Sequence, residues 1–199
     1  MLRNYQDNVF INSPFDSAFK PIFDALVFVI QDAGFIARCA LEISDGSQNR
    51  LQKILAIIAE CRFGVRDLSR TELDSAHSLP RFNMPFELGL YVGCKWFGNK
   101  TQQAKSCLIL DREPHRYQKF ISDISGQEVY YHDNEPEQAL GMVRNWLRTE
   151  PKRRAYQARE QYGNGTASSN SNCQAFARSS RFRSMNSPSR TTRTSLPNG

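Results

Sequence analysis

Histidine and cysteine are both sparse in this chain, and neither is patterned. The three histidines, His77, His115 and His132, lie far apart. The five cysteines, Cys39, Cys61, Cys94, Cys107 and Cys173, are odd in number, and no two are spaced C-x-x-C. No zinc-ligand pattern is present, and no metal is expected in the site. Four of the cysteines, all but Cys173, sit inside apolar runs, where a free thiol behaves as a small hydrophobe. Buried, reduced thiols are expected there, and with them a reducing, cytoplasmic compartment. Long apolar runs are missing as well. No segment reaches membrane-spanning length and the N-terminus has no apolar leader core, so neither secretion nor membrane insertion is expected.

Negative charge is missing from one part of the chain only. Residues 151–199 carry nine Lys or Arg and a single acid, Glu160, whereas residues 1–150 carry 17 basic and 19 acidic residues. The pI of about 9.2 is therefore a property of the C-terminal segment. From Gly163 onward that segment is dominated by Asn, Ser, Thr, Gly and Arg without apolar periodicity. Such a composition buries too little apolar area to offset its ordering entropy, so 151–199 is predicted to be a disordered tail. Three readings of it stand: a solvated tail, an Arg-rich anion or RNA binder, or a terminus altered by a shifted reading frame. Nucleic acid is not the expected partner, because only Phe176 and Phe182 interleave with the arginines from Gly163 onward.

What remains, residues 7–150, alternates between apolar runs and helical spacing. Asn8–Asn12 reads as a buried strand closed by Ser13-Pro14-Phe15-Asp16. Phe19, Ile22, Phe23, Leu26, Val27 and Ile30 keep the i, i+3, i+4, i+7 rule of an amphipathic helix, with Pro21 in its first turn and Gly34 as its stop. Phe35–Leu41 reads as a second strand, followed by a polar loop with a turn at Asp45-Gly46. A helix carrying Leu51, Ile54, Leu55 and Ile58 leads to a third strand, Phe63–Leu68, and Ser69–Asn83 is a long polar loop. Cys107–Leu110, a short helix with Tyr117, Phe120, Ile121 and Ile124, a strand Gln127–Tyr131 and a closing helix Pro136–Arg148 complete the pattern. Alternation of this kind predicts a parallel sheet covered by helices on both faces, with the strand C-termini on one edge.

The stretch Leu79–Gly93 stands at the centre of this plan. It passes from loop to helix, its apolar residues include Phe86, Leu90 and Val92, and Gly89 and Gly93 are spaced for a close approach on one helix face. Glu87 is its one acid. Two readings are open: a first-turn carboxylate matched to the helix dipole, or a carboxylate lining the crevice that open α/β sheets present at their C-terminal edge. The loops at that edge carry Asn12, Ser13 and Phe15, then Glu42 and Asp45, then Asp67, Ser69 and Arg70, then Asp111 and Arg112. Asp67 and Glu87 are expected to face one crevice. Arg38, Arg70 and Arg112 are candidates for phosphates or, equally, for ion pairs with Glu42, Asp67 or Asp111.

Val9-Phe-Ile-Asn-Ser-Pro-Phe15 resembles the opening strand of nucleoside 2-deoxyribosyltransferase-like proteins, and Phe86-Glu-Leu-Gly89 resembles their segment with the catalytic glutamate. TIR domains, including bacterial ones that cleave or rearrange NAD, have a similar architecture and a similarly placed glutamate. The resemblance spans about residues 8–148. It implies a three-layer α/β/α, flavodoxin-like open parallel sheet of about five strands. It implies Glu87 as catalytic carboxylate, with Asn12, Ser13, Phe15 and Asp67 around the nucleotide; Ser69, Arg70 and Asp111, at the same sheet edge, are the further substrate-binding candidates. The expected activity is then N-glycosidic cleavage of NAD or a related nucleotide, with no cofactor beyond the substrate, in a setting such as bacterial antiviral defence. A non-catalytic nucleotide sensor, an oligomeric TIR-like scaffold and a deoxyribosyltransferase are the alternatives. The loop 69–83 is longer than the deoxyribosyltransferase pattern.

Overall fold

In the computed structural model, residues 5–42, 47–72 and 82–150 are described. The expected turn at Asp45-Gly46, most of the long polar loop and the tail 151–199 lie outside them. Five strands form one sheet, β1 (Asn8–Asn12), β2 (Ile36–Arg38), β3 (Phe63–Asp67), β4 (Ser106–Asp111) and β5 (Val129–Tyr131). All neighbours are parallel, in the order β2-β1-β3-β4-β5. This is the flavodoxin-like order, in which the chain reverses its direction of travel across the sheet between β1 and β3.

The two faces follow from the period of two along each strand. Val9 and Ile11 of β1, Phe63 and Val65 of β3, and Leu108 and Leu110 of β4 pack with α1 (Lys20–Asp32) and α5 (Pro136–Thr149). Phe10 packs on the opposite face with Ile54, Ile57 and Ile58 of α2 (Arg50–Glu60) and Tyr91 of α3 (Asn83–Phe97). Ile109 and Val129 join Met84 and Leu88 of α3 on that face. A short helix, α4 (Lys100–Gln103), leads into β4. Among the described residues, no helix is long and apolar enough to cross a membrane.

Several sequence expectations are corrected. β2 ends at Arg38, and Ala40–Glu42 is a single 3₁₀ turn rather than more strand. The segment expected as one short helix is two 3₁₀ turns, Arg116–Lys119 and Ser122–Ile124. The pairs Tyr117/Phe120 and Ile121/Ile124 are each three apart, a spacing that eclipses on a 3₁₀ turn as readily as it aligns on an α-helix. Among the described residues nothing stands near where a Cβ of Gly89 or Gly93 would be, so no close approach is made there. Cys61, Cys94 and Cys107 are free thiols as expected, but of the three only Cys61 is fully buried, and Cys94 and Cys107 are partly exposed. Cys39 is disulfide-bonded, so the expectation of a free thiol fails there.

Candidate functional site

The C-terminal edge of the sheet carries a cleft at the β1/β3 reversal. It is lined by Ser13, Pro14, Phe15 and Asp16 after β1, Arg50 at the start of α2, Arg70 after β3, and Asn83 and Met84 at the start of α3. Its volume is about 460 Å³, within the range of small-molecule sites. Reversals of this kind leave a crevice because the loops of the two flanking strands turn to opposite faces of the sheet.

The loop after β1 is held in place locally. Asp16 Oδ1 accepts the Phe19 N–H at 2.9 Å at the entry to α1, and Phe15 packs edge-on against Phe23 at 5.5 Å. Arg70 Nε lies 3.6 Å from Asp16 Oδ2 across the cleft, a loose ion pair. At the entry to α2, Asn49 and Gln52 form a reciprocal capping box. The first turn of α3, by contrast, has no side-chain cap and no acid. The first-turn N–H groups of Asn83 and Met84 and the two arginines tilt the cleft toward positive charge, against the single carboxylate of Asp16.

Glu87 is not a first-turn residue. α3 begins at Asn83, and Pro85 falls in the first turn, where the missing N–H costs nothing. That start leaves Glu87 in the second turn, on the buried stripe with Met84, Leu88 and Tyr91. It is 3% exposed. Its Oε1 accepts from Arg50 Nη2 at 3.3 Å, and Oε2 has no hydrogen-bond partner among the described residues. Burial raises the Glu87 pKa above the ordinary carboxylate value, and the charges of Arg50 and Arg66 pull it back. Arg50 is 53% exposed and lines the cleft, so the buried carboxylate is one side chain away from it.

Arg66 lies beneath this site with 0% exposure. Its guanidinium stacks between Phe10 at 4.5 Å and Tyr91 at 4.3 Å, and none of its three nitrogens has a hydrogen-bond partner among the described residues. Gly64 makes room for the stack: a Cβ there would meet Arg66 Nε at 3.1 Å and the Tyr91 ring at 3.2 Å. Tyr91 in turn donates its hydroxyl toward two carbonyls, Arg62 O at 2.7 Å and Ser106 O at 2.8 Å, which anchors α3 to the sheet. Burial lowers the Arg66 pKa, with nearby Glu87 among the groups that oppose this.

Asp67 goes elsewhere. One step along β3 from Arg66, it points to the other face of the sheet, toward His132 and Phe19. Its Oδ2 is 2.9 Å from His132 Nε2, its Oδ1 accepts the Ser69 N–H at 2.9 Å, and all three residues are fully buried. Ser69 Oγ also lies 3.0 Å from His132 Nε2. The trio has the composition of a nucleophilic triad without its wiring, because acid and serine share one ring nitrogen while a triad uses both. The other nitrogen, Nδ1, accepts the Asn134 N–H at 3.1 Å, through a turn in which Asp133 and Asn134 are both left-handed. Nε2 therefore carries the proton and has no lone pair for the Ser69 hydroxyl.

Asp111 is tied down through one oxygen, while its Oδ2 is buried without a hydrogen-bond partner among the described residues. Its Oδ1 accepts from Arg116 Nε at 2.9 Å and Nη2 at 2.7 Å, and from the Arg112 N–H at 2.7 Å. Arg116 extends the knot to Thr71 Oγ1 at 2.9 Å and to the Leu68 carbonyl. Burial pushes the Asp111 pKa up, against the pull of Arg116.

Of the residues expected in the site, the structure brings Ser13, Phe15 and Arg70 into the cleft and Glu87 to within one side chain of it. Asn12 is buried beside Ser13, with Nδ2 lacking a hydrogen-bond partner among the described residues. Asp67, Ser69 and Asp111 are not brought to this cleft. Arg38 is an ion-pair residue, 2.6 Å from Glu42 and 3.0 Å from Glu60, and Arg112 pairs with Glu72 and Glu113. Sequence reasoning missed Arg50, Asp16, Asn83, Arg66, His132 and Arg116. Arg50 alone had a local signal, a cation at the positive end of a helix, where it is disfavoured. Among the described residues, no group of three His, Cys, Asp or Glu is arranged to hold a metal.

Comparisons of the chain with protein-family models, with curated proteins and with solved structures found no match.

Proposed function

We propose that this protein binds a phosphate-bearing nucleotide in the β1–β3 cleft and cleaves or rearranges its N-glycosidic bond through Glu87, with NAD as substrate. The observation that carries the reading is the buried Glu87 carboxylate joined to a positively lined cleft by Arg50, at 3.3 Å. Breaking an N-glycosidic bond develops positive charge at the anomeric carbon, and an ionised carboxylate on that face stabilises or attacks it. NAD suits this chemistry, because nicotinamide leaves as a neutral molecule while the pyrophosphate supplies negative charge for Arg50, Arg70 and the α3 N-terminus. Burial pushes the Glu87 pKa up, and Arg50 and the Arg66 guanidinium beneath the carboxylate oppose this by favouring the ionised form that the reaction requires. The resemblance of Val9–Phe15 and Phe86–Gly89 to deoxyribosyltransferase-like sequences, and of the architecture and glutamate position to TIR domains, supports a nucleotide substrate.

The test incubates the full chain with NAD, NADP and deoxynucleosides, with and without a crowding agent, and detects released base by mass spectrometry. Nicotinamide release that disappears in Glu87→Gln is the expected result. No release under any condition, or equal release by Glu87→Gln, removes the glycosidase reading. A second reading, a nucleotide sensor without turnover, draws support from the same Arg50–Glu87 pair, which leaves the carboxylate occupied at rest. It is separated from the first by binding without product. Exposed Phe82, Phe86, Trp96 and Phe97 along α3 favour self-association in either case. Trp146 of α5, by contrast, is packed edge-on against Phe63 at 6.0 Å.

A further inference from the structure

We propose that Arg50 is a gate shared between Glu87 and the phosphate of the ligand, so that phosphate binding in the cleft draws Arg50 away and uncovers the carboxylate. The inference rests on the nucleotide reading of the cleft and adds a selection rule: phosphorylated nucleotides open the site, and bare nucleosides leave it latched.

Four observations carry it. Arg50 belongs to two environments at once, with its guanidinium 3.3 Å from a 3% exposed carboxylate while the residue also lines an open cleft. The ion pair is a weak latch: one long contact, to one oxygen, from a half-exposed arginine whose solvation weakens the attraction. Glu87 Oε2, buried and without a hydrogen-bond partner among the described residues, leaves the carboxylate only partly satisfied by the resting arrangement. Arg50 is also placed against its own helix. It occupies the first position of α2, where the dipole repels a cation, and the capping box at Asn49 and Gln52 is complete without it. A phosphate in the cleft would reverse that penalty, since the anion is favoured by the α2 and α3 N-termini together and accepts a two-pronged contact from the guanidinium. Arg70, loosely paired with Asp16 at 3.6 Å, is the second cation available to it.

The gate predicts competition between Glu87 and phosphate for one side chain, which a double-mutant cycle isolates. The probe is inorganic pyrophosphate, which has no glycosidic bond, titrated calorimetrically into the full-length wild type, Arg50→Gln, Glu87→Gln and the double variant. Arg50→Gln should weaken binding about ten-fold or more, the worth of a charge-assisted contact. Glu87→Gln should tighten binding several-fold in the wild-type background and leave it unchanged in the Arg50→Gln background. Equal tightening in both backgrounds would mean that Glu87 acts on the anion only as a distant charge, and would overturn the gate. So would an Arg50→Gln variant that binds as wild type does, or pyrophosphate that binds neither wild type nor Glu87→Gln at millimolar concentration. Glu87→Met replaces Glu87→Gln in the cycle if the latter lacks a cooperative thermal transition. Because pyrophosphate cannot be cleaved as a nucleotide, a positive cycle without NAD turnover keeps the gate and removes only the glycosidase reading.

Discussion

The β1/β3 side of the sheet edge and its β4/β5 side treat charge in opposite ways. At β4/β5, Asp67 is closed into a buried knot with His132 and Ser69, and Asp111 into another with Arg116 and Thr71. At β1/β3, the charges are loosely paired and face an open cleft: Arg50 to Glu87 at 3.3 Å and Arg70 to Asp16 at 3.6 Å. Both sides hold buried carboxylates at the same edge of the same sheet. One set ties β3, β4 and β5 together, although Asp111 Oδ2, like Glu87 Oε2, is buried without a hydrogen-bond partner among the described residues; what sets Glu87 apart is the space beside its partner Arg50. A buried acid is therefore a weak indicator of a site until its partners are known. The half-satisfied acid beside a cavity is the informative one.

The largest expected effect breaks the closed side. Arg116→Leu leaves the Asp111 carboxylate buried without its cation and should destabilise the fold by about 3–5 kcal/mol, measured by urea denaturation. Pyrophosphate affinity should stay unchanged under folding conditions. A smaller loss would mean that Asp111 finds solvent or another donor.

The open side should answer in activity rather than stability. Glu87→Gln should lower nicotinamide release about 100- to 1000-fold while its thermal midpoint moves by only a few degrees. A fall in midpoint as large as that of Arg116→Leu would assign Glu87 to structure and erase the contrast between the two sides.

Ser69→Ala sharpens the comparison from the closed side. Removing the hydroxyl should cost about 1 kcal/mol and leave turnover intact, because His132 cannot accept the serine proton. Turnover reduced to the level of Glu87→Gln would instead make the Asp67–His132–Ser69 trio catalytic.

The smallest effect concerns pH. Burial raises the folded pKa of Glu87 above its ordinary value, so folding favours the protonated acid. The stabilisation is complete below the ordinary carboxylate range and is lost as pH rises through the folded value. Glu87→Gln lacks this loss, so its urea midpoint should gain on that of the wild type as pH rises from the ordinary carboxylate range through the raised folded value. A constant difference across that window would mean that Glu87 titrates alike in the folded and unfolded states.

Much of the architecture was legible because it depends on short periods. Apolar runs such as Val9–Ile11 and Leu108–Leu110, alternating with the α1 and α5 patterns, announce a parallel sheet between two helical layers, and turn residues such as Ser13-Pro14 mark strand ends. The short helix expected near Tyr117 failed because one apolar spacing serves two kinds of turn. The site was legible only in its loops. Ser13, Phe15 and Arg70 follow from strand ends, whereas Arg50 was not predictable as a partner of Glu87, which is 37 positions distant.

By itself the sequence determined the fold class, the strands whose ends form the cleft edge and the helix that carries Glu87. All three are set by hydrophobic periods and breakers acting within about twenty residues. The tertiary structure alone decided which face each charged residue took and which partner it met. Arg66 and Asp67 are neighbours on β3, yet the pleat sends one between Phe10 and Tyr91 and the other to His132. Ion pairs between distant segments then follow from strand order and helix packing, which no local pattern encodes.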